Sequence, residues 1–143
     1  MRYEMKPCLR DAVWLLDRFI AESVYDTTTC VESVTKVLTN RDFLSIIAYD
    51  GDTPAGLLVA GVYRHPLFEV LLASDLVNYV TPEYRGGLIS RRFVRMFEDW
   101  AKSKSAKYVQ LGQSTGTGNM ERVAELFNKL GFQTTGFNTL KRI

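Results

Sequence analysis

At 143 residues the chain is long enough for one domain with a real core and too short for two comfortable ones, so 1–143 is read as a single domain. A hydrophobic share of 46% beside 24% charged residues argues against disorder and against a fibrous repeat. The formal charge of +2 is too small to point to nucleic acid, which turns attention to where the charges sit.

Cys8 and Cys30 are the only cysteines and His65 the only histidine. A structural zinc site needs about four such ligands, so no metal is expected. The two cysteines read as free buried thiols. The N-terminus has no apolar core of a signal peptide, and no stretch approaches the ~20 apolar residues of a membrane span. The expectation is a soluble, cytoplasmic protein with no membrane partner.

In chain order, a short strand is predicted over Arg2–Met5, ahead of Pro7. Asp11 reads as an N-cap, followed by Val13, Leu16, Ile20 and Val24 at helical spacing. Thr29-x-x-Glu32 reads as a capping box for a second helix carrying Val31, Val34, Val37 and Leu38. Phe43–Tyr49 and Ala55–Tyr63 are β-rich runs joined through Asp50-Gly51-Asp52-Thr53, a hairpin signal. A third run, about Val70–Val80, ends before Pro82, which removes a backbone donor. The next helix places Ile89, Phe93, Met96, Phe97, Trp100 and Ala101 on one face, with Arg92, Arg95, Glu98, Asp99 and Lys102 opposite. Tyr108–Leu111 then makes a strand–helix–strand crossover. A last helix, about Asn119–Leu130, ends at Gly131, and Phe132–Ile143 is a weaker strand. The order βααβββαβαβ predicts an α/β fold with a mixed sheet.

One segment carries chemistry. Val80-Thr81-Pro82-Glu83-Tyr84-Arg85-Gly86-Gly87 joins a strand end to a helix start. A glycine pair lets backbone N–H groups converge, and a helix N-terminus adds donors and partial positive charge, which suits a pyrophosphate. Arg85, Arg91, Arg92 and Arg95 cluster there, although the helix dipole disfavours cations by ~0.3–1 kcal/mol each. That arrangement calls for an external anion, with a plain solvated basic face as the alternative.

This segment resembles the cofactor motif of the GNAT (GCN5-related N-acetyltransferase) family, with Arg85 as its leading basic residue. Leu126-Phe127-Asn128-Lys129-Leu130-Gly131-Phe132 is similar to a second family motif, and Gly56, early in its strand, also fits. The short length and the Arg-Gly-Gly loop resemble small GNAT proteins encoded by tailed bacteriophages, whose location would be the host cytoplasm. The resemblance implies acetyl-CoA as co-substrate and a primary amine of a small molecule, peptide or protein as acceptor, in a monomer or homodimer; nucleic acid is not expected as a partner, because no basic–aromatic stripe extends beyond the arginine cluster. It implies cofactor contacts at Val80, Tyr84, Arg85, Gly86, Gly87, Leu88, Ile89, Ser90, Arg91, Asn119 and Phe127.

The sequence departs from the pattern at three points. Leu88 replaces a motif glycine. Phe127 stands where many members have a tyrosine that protonates the departing thiolate, which a phenyl ring cannot do. Met120 stands where an asparagine is common, with Asn119 beside it. Leu88 and Phe127 favour a non-catalytic acyl-CoA-binding or partner-binding module as the rival reading.

Acyl transfer needs a base, because an alkyl ammonium has a pKa of about 10. Asp75 and Glu69 are the candidates, with His65 behind them. By strand alternation Asp75 is expected to share a face with Val77 and Tyr79. Ser114, with Thr115 and Thr117, is a candidate for orienting a water at the thiolate. Gly116-Thr117-Gly118-Asn119-Met120-Glu121 has the look of a dinucleotide fingerprint, but Glu121 replaces its third glycine.

Overall fold

The computed structural model describes residues 1–112, 120–136 and 139–143. The elements run β1 (Arg2–Glu4), α1 (Leu9–Glu22), α2 (Val31–Thr39), β2 (Phe43–Asp50), β3 (Thr53–Arg64), β4 (Leu71–Val80), a single 3₁₀ turn (Pro82–Tyr84), α3 (Ile89–Ser103), β5 (Tyr108–Gln110) and α4 (Met120–Lys129). The sheet order is β1-β2-β3-β4-β5, antiparallel from β1 to β4 and parallel between β4 and β5. The mixed α/β architecture matches the sequence reading.

Residue chemistry explains the hairpin and the crossover. Gly51 sits at φ +60°, the backbone that a two-residue turn between Asp50 and Thr53 requires. The β4–α3–β5 unit is parallel because α3 carries the chain back across the sheet.

Helices cover both faces of the sheet. On one, α3 buries Ile89, Phe93, Phe97 and Ala101 against Leu44, Ile46, Leu58, Ala60 and Ala73. Gly56 lets α3 come this close: a Cβ there would lie 3.0 Å from the Tyr79 carbonyl and 3.3 Å from the Phe93 ring. On the other face α1 and α2 pack Ala12, Leu15, Phe19, Val34 and Val37 onto Ile47, Leu57, Val59 and Tyr79. Among the described residues no helix is long and apolar enough to cross a membrane.

Several local expectations are corrected. Cys8, not Asp11, is the N-cap of α1; Asp11 lies in the first turn and accepts a 2.7 Å hydrogen bond from the Tyr49 hydroxyl. The buried positions of α1 are Ala12 and Leu15, and Val24 falls beyond the helix, where Ser23 Oγ bonds the Ile20 carbonyl. The large aliphatics drew the predicted stripe away from the small Ala12. Thr29 does not cap α2. It donates to Asp17 of α1, and Cys30 takes the N-cap position, its Sγ accepting from the Ser33 hydroxyl at 3.1 Å. Both cysteines are exposed rather than buried, because each sits at a helix start on the solvent side. No strand forms in 132–136 or 139–143: Phe132 packs on Phe127, while Gln133, Thr134 and Thr135 are exposed and offer the sheet no apolar face.

Candidate functional site

The site begins with an irregularity in β4. Val59 pairs with Val77, but Ala60 pairs with Asp75, so Leu76 is an extra residue bulged from the ladder. The bulge resets the alternation. Val77 and Tyr79 face α1 and α2, whereas Asp75, Asn78 and Val80 lie opposite Ala60, Leu58 and Gly56, on the α3 face. Asp75 therefore does not share a face with Val77 and Tyr79, as plain alternation predicted.

The partner strand ends at the same place. β5 pairs with β4 only through Leu72, Ala73 and Ser74. One residue further on, the Gly112 N–H donates to Asp75 Oδ1 at 3.1 Å, so a side chain takes the bond that a continuing ladder would have used. Among the described residues β4 has no further pairing with β5 beyond this point. Burial pushes the Asp75 carboxyl up to about 6, against the lowering effect of N–H groups from Gly112 and its own backbone.

A cleft of about 480 Å³ runs from Asp75 to the start of α3. Asp75 through Val80 form one wall, the loop from Tyr84 to Gly87 with Ile89, Ser90 and Arg91 forms the end, and Arg122, Val123, Leu126 and Phe127 of α4 line another side. Gly86 has φ +81°, a left-handed backbone suited to glycine. α3 starts with no side-chain cap and no acidic residue in its first turn, so its leading N–H groups have no capping side chain. Arg85, Arg91 and Arg122 add cationic side chains to the same cleft. Donors, dipole and cations converge as an anionic phosphate group requires.

Arg85 has a second attachment. Its NH2 group lies 2.8 Å from Glu22 at the end of α1, and its Nε donates to the Val80 carbonyl at 2.8 Å. The Tyr79 hydroxyl also donates to Glu22. Burial raises the Glu22 carboxyl, but Tyr79 and Arg85 outweigh it and hold it below its ordinary value. One guanidinium thus fastens the end of β4 and joins the cleft to α1.

No protein-family model matches the sequence, and neither does any curated protein. Solved structures do. A transcriptional regulator from Bacillus halodurans C-125 is similar at 15% identity and TM-score 0.77, with 99% of each chain covered. An aminoglycoside antibiotic 6′-N-acetyltransferase from Acinetobacter haemolyticus is similar at 19% identity and TM-score 0.72, covering 100% of this chain and 99% of that one. An aminoglycoside acetyltransferase from an uncultured soil metagenomic sample is similar at 14% identity and TM-score 0.76, with 99% and 96% covered. The chain has the GNAT fold.

Within the GNAT frame, most of the residues expected at the cofactor meet in one place. Val80, Tyr84, Arg85, Gly86, Gly87, Ile89, Ser90, Arg91 and Phe127 all line the cleft, together with Asp75. Leu88 does not: it is the N-cap of α3 and 75% exposed, so the residue in place of the motif glycine points to solvent. Tyr84 lines the cleft and also donates to Asp50 Oδ2 at 2.8 Å, which ties the loop to the β2–β3 hairpin. Arg92 lies over the Tyr3 ring at 5.7 Å, away from the cleft.

Glu69 is exposed and outside the cleft. His65 stacks on Phe68, and its Nδ1 accepts the Leu67 N–H at 3.1 Å, so it serves its own loop. Ser114, Thr115, Thr117 and Asn119 lie outside the described residues. Among the described residues no group of three or more His, Cys, Asp or Glu could hold a metal ion.

Sequence reasoning missed Arg122, Val123, Glu22 and Asn78. For the first two a signal existed: Arg122, Val123, Leu126 and Phe127 recur at helical spacing and form one face of α4. For Asn78 plain alternation with Tyr79 already gives the face it shares with Val80, and the bulge only brings Asp75 to that face. The Asn78 Oδ1 is buried with no hydrogen-bond partner among the described residues. An acceptor left in that state costs ~1–3 kcal/mol.

Proposed function

We propose that the chain is an N-acyltransferase that moves an acetyl group from acetyl-CoA to the primary amine of a small molecule, peptide or protein. The observation that carries this reading is a single cleft with an anion-suited loop at one end and a half-buried carboxylate, at the end of the β4–β5 pairing, at the other. The loop from Arg85 to Ser90, with Arg91, takes the donor's phosphates. The edge of β4 beyond Asp75, free of a strand partner among the described residues, offers backbone groups to the pantetheine arm and the thioester carbonyl.

The amine nitrogen attacks the thioester carbon, the C–S bond breaks, and the thiolate leaves. Asp75 takes the proton that the amine must lose. With its carboxyl near 6, it is ionised at neutral pH and more basic than an ordinary aspartate. A thiol pKa near 8–9 makes thiolate a reasonable leaving group without an acid at Phe127. A domain spanning 1–143 in the cytoplasm, acting as monomer or homodimer, belongs to the same proposal.

A second reading has one observation in its favour. Phe127 places a ring in the cleft where an acid would assist, which suits a module that binds acyl-CoA without turnover. Calorimetry with CoA tests the binding common to both readings: affinity should fall as salt rises, because the ligand is anionic. No binding at millimolar CoA contradicts both.

A further inference from the structure

We infer that the acceptor is a small primary amine with a single positive charge on an apolar body, and that the bulged Leu76 forms part of the wall on which that body packs. This rests on the acyltransferase reading above and names the acceptor class for the same cleft.

The charge of the cleft limits the acceptor first. Among the described residues, Asp75 is the only acidic side chain that lines it, against Arg85, Arg91 and Arg122. No Asp or Glu occurs in 113–119 or 137–138, so those positions supply no further carboxylate. Glu22, Asp26 and Glu83, the acidic residues at the end of α1 and in the loop after β4, are already paired. Glu22 meets Arg85 and Tyr79, Asp26 meets Arg142, and Glu83 meets Arg18. With the donor's phosphates drawn to arginines, one carboxylate is left at the reacting end, and it suits one ammonium. Each further ammonium of a polycation would lose water there without gaining a counter-charge.

The apolar surface supplies the second constraint. The bulge takes Leu76 out of the ladder, and this residue, next to Asp75 in the chain, lines the cleft while 59% exposed. A large aliphatic side chain bared inside a cleft is area that a ligand can cover. Phe19, Val77, Val123 and Phe127, each half-buried, line the same cleft. Burial raises the Asp75 carboxyl, as such a setting does. A surface of this kind gains from methylene and ring carbons, not from extra hydroxyl or ammonium groups.

The test measures free-thiol release from saturating acetyl-CoA with ethylamine, hexylamine, phenethylamine, spermidine and tobramycin, each transfer yielding the N-acetyl amine and CoA. Hexylamine and phenethylamine should exceed ethylamine by at least about tenfold in kcat/KM, since each methylene taken out of water is worth roughly fourfold. Spermidine and tobramycin should fall at least about tenfold below phenethylamine, for want of counter-charges. Leu76→Glu, at an exposed position, should lower kcat/KM for phenethylamine about tenfold and raise it for spermidine, with acetyl-CoA affinity within about twofold of wild type. Calorimetry of the same amines on the CoA complex reads the site independently of turnover. Equal or better use of the polycations overturns the inference and leaves acyl transfer standing, as does a flat response from ethylamine to hexylamine. A large loss of acetyl-CoA affinity in Leu76→Glu puts that side chain on the donor and overturns it too. Wild-type protein that releases no thiol, yet binds phenethylamine over spermidine on the CoA complex, supports the inference and removes turnover. Protein that binds CoA and neither amine overturns it. Wild-type protein that binds no acetyl-CoA removes the reading itself, and this inference with it.

Discussion

The Gly112 N–H reaches Asp75 Oδ1 at 3.1 Å across the point where β4 and β5 stop pairing. This bond holds one carboxylate oxygen in place while burial raises the carboxyl from 3.8 to about 6. Turnover should therefore rise as pH passes through about 6, where the base becomes ionised. In Asp75→Asn that limb of the pH profile should vanish. A profile unchanged by the substitution contradicts Asp75 as the base.

The same carboxylate has a stability consequence. A folded-state value above the unfolded one means the native state holds the proton more tightly, so stability declines as pH rises from about 4 to about 6. At ~1.4 kcal/mol per pH unit, ionised Asp75 costs the fold about 3 kcal/mol at most. Asp75→Asn keeps the acceptor for Gly112 and removes the charge. Urea unfolding at pH 7 should show it as stable as wild type or more so, by up to about that amount, with the gain shrinking at pH 4.

The arginine cluster should divide. Arg91 lines the cleft, while Arg92 lies over Tyr3. Arg91→Ala should weaken CoA about tenfold, as loss of a charge-assisted bond does. Arg92→Ala should change it less than about twofold. Titration of both variants with CoA checks the division, and equal losses contradict it.

Much of this was legible in the sequence, for identifiable reasons. Asp50-Gly51 fixed the hairpin because few residues tolerate φ +60°, and the apolar stripe of α3 was periodic enough to give its buried face. The glycine pair and arginines located the anion loop. The face of Asp75 was not legible, because one bulged residue inverts alternation and leaves no mark in composition. Long-range pairs were hidden too: Arg85 with Glu22 spans 63 residues, and no local pattern encodes it. Thr29 shows the converse, a sound capping motif overridden by a tertiary bond to Asp17.

Phe127 bears on the leaving group. If thiolate departs unaided, Phe127→Tyr should alter turnover by less than about tenfold, under ~1.4 kcal/mol of barrier. Steady-state rates of the two proteins under saturating acetyl-CoA decide it. Activity that appears only in the tyrosine variant would identify a binding module that lacks its acid.

Acyl transfer itself is tested most directly by free-thiol release from acetyl-CoA against a panel of aminoglycosides, small primary amines, peptides and protein lysines. The account predicts amine-dependent release by the wild type with at least one acceptor, and a marked drop in Asp75→Asn with CoA affinity retained. A folded wild-type protein that binds CoA and releases no thiol with any acceptor would contradict it.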